Sequence, residues 1–433
     1  PDMNLKTDTL YLDRANSKAF YNSFGTILDE KRKLTSIKGI YFIDELKYRF
    51  ISNVKIDDPE YLLNSQRLDY YTESDKAFFY GKTTIVGGEY DIYCEKGTYD
   101  TQFQRGNFQE NAVIYYDNKE IRGDSLYFEN EKNYAAATNN ISVIDTLNKS
   151  VINGHYGEIF KAKDSAIITR RALAINIIDQ DSLYIHADTL IATGPTEKKI
   201  LRGYYDVKIF KTDLRGKSDS LHLDQSTGLI KLLKLPLSRK ENQILTTSQK
   251  NKKNPILWFG KSQMSGDKIF LTSDMQTKKL DSLKIIGNSW IIEKDSISDN
   301  GFNQIKGGVL DGLFKEGELR EIDVSKNTEV IYYMYSDEDN ELIGIDKTTC
   351  SRLKMVTKEN QIEDITFFVS PDGNLFPDKD LPLNERKLEG FIWREDERPN
   401  NIRELFSKED NQFQPTEIRE VSIPEDFLQK IEE

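Results

Sequence analysis

An acid, a hydroxyl and a leucine recur together along this chain. Asp8-Thr9-Leu10, Asp124-Ser125-Leu126, Asp181-Ser182-Leu183, Asp188-Thr189-Leu190, Asp219-Ser220-Leu221 and Asp281-Ser282-Leu283 all carry the triplet. A carboxylate beside a hydroxyl is raw material for nucleophilic or acid–base chemistry when a base lies within hydrogen-bond reach. Three histidines are available, His155, His186 and His222, and the last two stand beside triplets. None sits in an H-E-x-x-H pattern, and no nucleophile elbow, P-loop or dinucleotide-binding glycine motif occurs. Solvated or corner-bonded imidazoles are the expected reading. "SDEDNE" (336–341) lacks the spaced ligands and central glycine of a calcium loop and reads as an acidic hairpin turn. Cys94 and Cys350 fit no metal spacing and read as unrelated thiols. Among 72 acidic residues no carboxylate pair stands out for glycoside chemistry. No enzyme class, metal or cofactor is therefore expected.

The elements that carry the triplets explain them better than catalysis does. Segments such as "YYDVKIFKTD" (204–213), "NAVIYYD" (111–117) and "FISNVKID" (50–57) alternate with a period of two and are rich in β-branched and aromatic residues. Prolines fall between such segments, as a hydrogen-bonded ladder requires. Degenerate triplets at 66–71, 96–101, 157–162, 266–271 and 311–316 extend the series. Anchored on Leu68, Tyr99, Leu126, Ile159, Leu190 and Leu221, the spacings are 31, 27, 33, 31 and 31 residues. One repeat is two strands. The prediction is an all-β, elongated twisted β-jelly-roll of stacked two-strand repeats of about 31 residues.

In "DSLYIHADTLIATG" (181–194), Leu183 and Leu190 are an odd number of residues apart, so they cannot share one face of a straight strand. If Leu183/Ile185 and Leu190/Ala192 both point inward, a corner or bulge lies near His186-Ala187. Asp and Ser/Thr suit such corners because their side chains bond nearby backbone N–H groups. Parity then assigns Leu10, Leu12, Leu68, Tyr70, Leu126, Phe128, Leu183, Ile185, Leu190, Ala192, Leu221, Leu223, Ile269 and Leu271 to the inward face. Whether such residues pack on one another or line an open groove is left undecided by periodicity.

Composition bounds the partners. A net charge of −12 over 433 residues argues against nucleic acid or an anionic membrane surface. The 22 Tyr and 22 Phe exclude a disordered chain. No apolar run approaches the ~20 residues of a spanning helix. No leader is read in the sequence, and a start at Pro1 decides nothing about one. The expected organisation is a jelly roll over 1–235, a charged surface loop over 236–254, a continuation over 255–406, and a charged tail over 407–433, mobile or docking to a partner.

The "ADTL" (187–190) and "GDSLYF" (123–128) repeats resemble the OstA-like family, relatives of the LptA component of lipopolysaccharide transport. So do "PILWFGKSQMSGDKIFL" (255–271), "DSLKIIGNSWIIEKDSISDNGFNQIKGGVLDGLF" (281–314) and "SPDGNLFPDKDLPLNERKLEGFIWREDERP" (370–399). The resemblance covers most of 1–406, with the charged stretch 237–254 as its departure. It implies a taco-like β-jelly-roll in the periplasm, associated with the outer membrane. It implies lipopolysaccharide as cargo, with the inward residues above as acyl-chain contacts. End-to-end sheet extension onto other transport jelly rolls, including the outer-membrane translocon, follows from the same resemblance. The physical logic is that each exposed CH₂ costs about 0.8 kcal/mol in water, which an apolar groove removes. The competing readings are a scaffolding subunit of an outer-membrane lipopolysaccharide assembly without lipid cargo, and a carbohydrate-active β-solenoid.

Overall fold

A computed structural model describes residues 4–412 apart from 29–30, 88–89, 148–149, 179–180, 196–197, 299, 337 and 359–360. It is all-β, with long antiparallel strands joined by short turns, as the two-residue period predicts. The described residues form two compact units, 4–172 together with Gln412, and Leu173–Asn411. The stretch 236–254 lies in the second unit and carries two short helices, Arg239–Ile244 and Thr247–Lys252. Each opens with a capping box, from Ser238 with Glu241 and from Thr246 with Gln249. Between strands Glu318–Tyr335 and Leu342–Lys358, Ser336 accepts at its carbonyl from the Asn340 N–H and at its hydroxyl from the Glu338 N–H, as an acidic hairpin turn requires.

The corner read from Leu183 and Leu190 is present. Strand Asp181–Thr193 loses register with Ile200–Phe210 between His186 and Thr189. Opposite that break, Tyr205 and Asp206 take left-handed backbone, with φ of 64° and 42°. The same device recurs at Ser52-Asn53, Glu110-Asn111, Asn139-Asn140 and Lys326-Asn327, each a pair of left-handed residues inside a register break. Two such residues cost of order 1–2 kcal/mol each. Hydrogen bonds from the facing strand offset part of that cost. The Asn140 side-chain amide donates to Asp124 Oδ2 at 2.9 Å. Asp181 accepts from the backbone N–H groups of Ser182 and Thr212, and Asp219 from that of Leu235. The triplet acids are turn and corner residues.

Each corner divides a strand into two half-strands, and inward residues line up across the sheet on either side. In the first unit one row runs Phe50, Leu68, Phe79, Gly97, Phe108, Leu126, Ala137, Gly157, each residue paired with the next. After Phe79 the row mixes large and small residues, Phe108 and Leu126 standing between Gly97 on one side and Ala137 and Gly157 on the other. A Cβ on Gly97 would stand 3.1 Å from the Phe108 ring, so the missing side chain makes room for that ring. The facing row runs Ile27, Leu34, Ile56, Leu63, Ile85, Ile92, Ile114, Ile121, Val143. The second unit repeats the scheme with Leu190, Gly203, Leu221, Leu232, Ile269, Ile285 and Leu310.

The second unit is covered on an outer face as well. Trp258, Ile292, Ile331 and Tyr333 point outward by parity yet are buried. Part of the C-terminal segment, Asp378–Gln412, packs over them as a strap, with Leu381 and Leu388 joining Trp290, Ile292, Ile331, Tyr333 and Ile345 in one cluster. Two buried glutamines clamp its main chain. Gln304 Nε2 donates to Arg386 O at 2.8 Å while Leu388 N–H donates to Gln304 Oε1 at 2.9 Å. Gln263 does the same with Ile392 O and the Arg394 N–H, at 2.8 and 2.7 Å. Further along, Lys217 pairs with Glu397, Lys208 donates to Leu405 O, and His186 meets Asp410 at 3.3 Å and the Phe406 ring. His186 is thus wholly buried rather than solvated. The start of the expected tail, 407–411, is docked on this unit; 413–433 lie outside the described residues.

Candidate functional site

Two adjoining cavities occupy the interior of the first unit. One, of about 260 Å³, is lined by Ile27, Leu34, Tyr48, Phe50, Ile56, Leu63, Leu68, Tyr70, Ala77, Phe79 and Tyr99, with Arg32, Tyr61, Asp75 and Thr101 completing it. The other, of about 1080 Å³, shares Arg32, Tyr61, Leu63, Tyr99 and Thr101 and continues along Ile85, Ile92, Tyr90 and Phe128. Six consecutive members of one inner row, Ile27, Leu34, Ile56, Leu63, Ile85 and Ile92, line this space. Five strand spacings of ~4.8 Å make that row about 24 Å long.

The smaller cavity is walled mainly by apolar side chains, whereas polar and apolar groups share the lining of the larger one about equally. Lys31, Arg32, Asp58, Glu60, Gln104 and Asn130 stand around the larger cavity, with Arg32 paired to Asp58 at 3.0 Å. Tyr70 donates its hydroxyl to Asp75 at 2.7 Å. Burial first, and then that carboxylate, push the Tyr70 phenol up to about 12; burial does the same for Tyr99. Both phenols therefore stay neutral across the physiological range, and the cavity keeps no charge on its aromatic wall. Among the described residues no group of three or more His, Cys, Asp or Glu is disposed to hold a metal. Cys94 and Cys350 are free and buried.

The parity-assigned residues divide into three sets. Leu68, Tyr70 and Phe128 line the cavities. Leu126, Leu183, Ile185, Leu190, Ala192, Leu221, Leu223, Ile269 and Leu271 are inward and buried, at 6% exposure or less, and line none of these cavities. Leu10 and Leu12 correct the inward expectation: they are 56% and 60% exposed. Leu12 lies on a three-residue strand, Tyr11–Asp13, paired with Lys18–Tyr21, and neither leucine is covered by an opposing wall. Parity had not singled out Ile27, Leu34, Phe50, Leu63, Phe79 or Tyr99. The available signal was cross-strand: Phe50 and Phe79 flank Leu68 directly.

A crystal structure of LptH from Pseudomonas aeruginosa, described as the LptA-homologous periplasmic component of the lipopolysaccharide transport device, aligns with 14% identity and a TM-score of 0.25, covering 27% of this chain and 95% of that one. No curated protein matches the sequence. Residues 2–66, which include the first strands and the near end of the cavity, match the family model for OstA-like protein. Over residues 2–66 the chain is therefore similar to the OstA-like proteins, while the segments 123–128, 187–190 and 255–399 lie outside that match.

Proposed function

We propose that this protein shields the acyl chains of lipopolysaccharide in the groove of its first unit, in the periplasm, during transport to the outer membrane. The observation that carries the reading is the ~24 Å row of aliphatic side chains lining the two adjoining cavities. A leaflet of a bilayer is about half of ~30 Å deep, so a groove of this length accepts acyl chains lying along it. Burial there has no direction, so a chain slides along the row without breaking specific bonds. The OstA-like match over 2–66 supports the same reading, because the matched strands supply Ile27, Leu34, Ile56 and Leu63.

Partners follow from the chain's first strands. Leu5, Leu10, Tyr11, Leu12, Phe24 and Leu28 are exposed there, on strands of three or four residues and the turns beside them. Such short strands with uncovered apolar side chains suit extension by the sheet of another lipopolysaccharide-transport jelly roll, up to the outer-membrane translocon. The test is binding of the full chain to lipopolysaccharide and to its fully deacylated oligosaccharide. Saturable binding of the first and none of the second is expected. Equal affinity for both would move the protein to a scaffolding or saccharide-binding role.

A further inference from the structure

The groove has a built end. Tyr90 and Tyr116 lie at the edge of the first unit where the hairpin pairs Gly87–Tyr90 and Tyr116–Lys119 turn. Phe128, Asn133 and Lys161 lie at the opposite edge, around the turns that follow strands Lys119–Glu129 and Ser150–Phe160. The two edges meet through these residues. The Tyr90 ring packs edge-on against Phe128 with centroids 4.6 Å apart and lies 5.9 Å from Tyr116. Its hydroxyl donates to Asn133 Oδ1 at 3.4 Å. Lys161 Nζ sits 4.5 Å from the Tyr90 centroid and 5.8 Å from that of Tyr116, a cation held on two ring faces. Tyr90 and Phe128 also line the larger cavity. Along the same inner rows Ile114, Ile121 and Leu126, each 1% exposed, line neither of the two cavities.

We propose that Tyr90, seated on Phe128 and capped by Lys161, is the stop of the lipid groove and limits the length of acyl chain it shields. The inference rests on the lipid reading above and adds a specificity determinant to it. Shielding on the near side is a matter of added methylenes, each worth about fourfold in affinity while it enters apolar space. Once a chain reaches the stop, a further methylene stays in water and adds nothing. Removing the ring of Tyr90 joins the cavity to the space it occupied and moves that limit outward.

The experiment titrates the full chain with saturated fatty acids of increasing length, each below its micellar concentration, by calorimetry. In the native protein affinity rises with chain length and then levels. Tyr90→Ala is expected to shift the levelling point to longer chains by at least two methylenes. Tyr90→Phe keeps the ring contacts and is expected to level with the native protein. Phe128→Leu opens the far side of the same contact and serves as the second variant, with thermal melting confirming that each is folded. Native-like levelling in both Tyr90→Ala and Phe128→Leu, with binding intact, overturns the stop and leaves the lipid reading standing. Failure of any fatty acid to bind the native protein overturns both.

Discussion

Gln304 is 0% exposed on an outward position of its strand, where an apolar residue or a solvated amide would be ordinary. Its place is explained by the strap: it accepts from the buried Leu388 N–H and donates to Arg386 O. Gln304→Leu keeps the bulk of the side chain and removes both partners. The Leu388 N–H then lies buried without an acceptor, at about 1–3 kcal/mol, and the half-buried Arg386 carbonyl adds about 1 kcal/mol. The expected loss is about 2–4 kcal/mol. For a unit of this size each kcal/mol moves the melting temperature by about 2–4 °C, so the transition of the second unit should fall by about 5–15 °C. Calorimetry measures the shift, and amide exchange at Leu388 should quicken by tens to hundreds of times. Gln276→Leu, at an exposed turn, is the control for adding an apolar surface residue. A Gln304→Leu protein melting within 2 °C of the native one, with Leu388 still protected, would refute the clamp.

Three further perturbations probe the groove, a corner and a buried charge. Ala77 is buried at the wall of the smaller cavity; Ala77→Trp should fill it, lowering lipopolysaccharide affinity at least tenfold for about 1–3 kcal/mol of overpacking, read by a binding titration beside a melt. At the corner, Asn139 has φ 58°, so Asn139→Val should cost about 1–2 kcal/mol in denaturant unfolding and Asn139→Gly much less. Asp69 is buried beside Arg49, with hydrogen bonds of 2.8 and 2.6 Å, and beside Arg67. Burial pushes its carboxyl up, but the hydrogen bonds from Arg49 and Arg67 outweigh that and hold it below 3.8. A depressed folded pKa stabilises fully above the unfolded value of ~3.9 and is lost as pH falls through the folded one. Asp69→Asn should therefore flatten the fall in melting temperature of the first unit between pH 5 and pH 3.

Much of the fold was legible because a strand's period is two and a corner must interrupt it. The odd spacing of Leu183 and Leu190 located a register break to within two residues. Parity says which side chains share a face; it does not say what covers that face. Leu10 and Leu12 share the right face and nothing covers them. Conversely "ILWF" (256–259) and "WII" (290–292) are buried on both faces, which reads locally as a core strand. Their second cover is the strap, an aperiodic stretch whose docking depends on Gln263 and Gln304, two residues that look like ordinary outward polar positions. The groove was hidden for a related reason. Ile56, Leu63 and Ile85 beside open space and Leu232, Ile269 and Ile285 in closed core are the same residue types at the same period.

The central claim is that acyl chains lie in the first unit's groove. Photo-crosslinking residues placed one at a time at Leu34, Tyr70 and Tyr99, which line it, test this most directly against outward controls at Lys55 and Asn107. In cells making lipopolysaccharide, adducts at the three lining positions and none at the controls are predicted. Adducts at the controls as often as at the lining positions, or at neither, would contradict it.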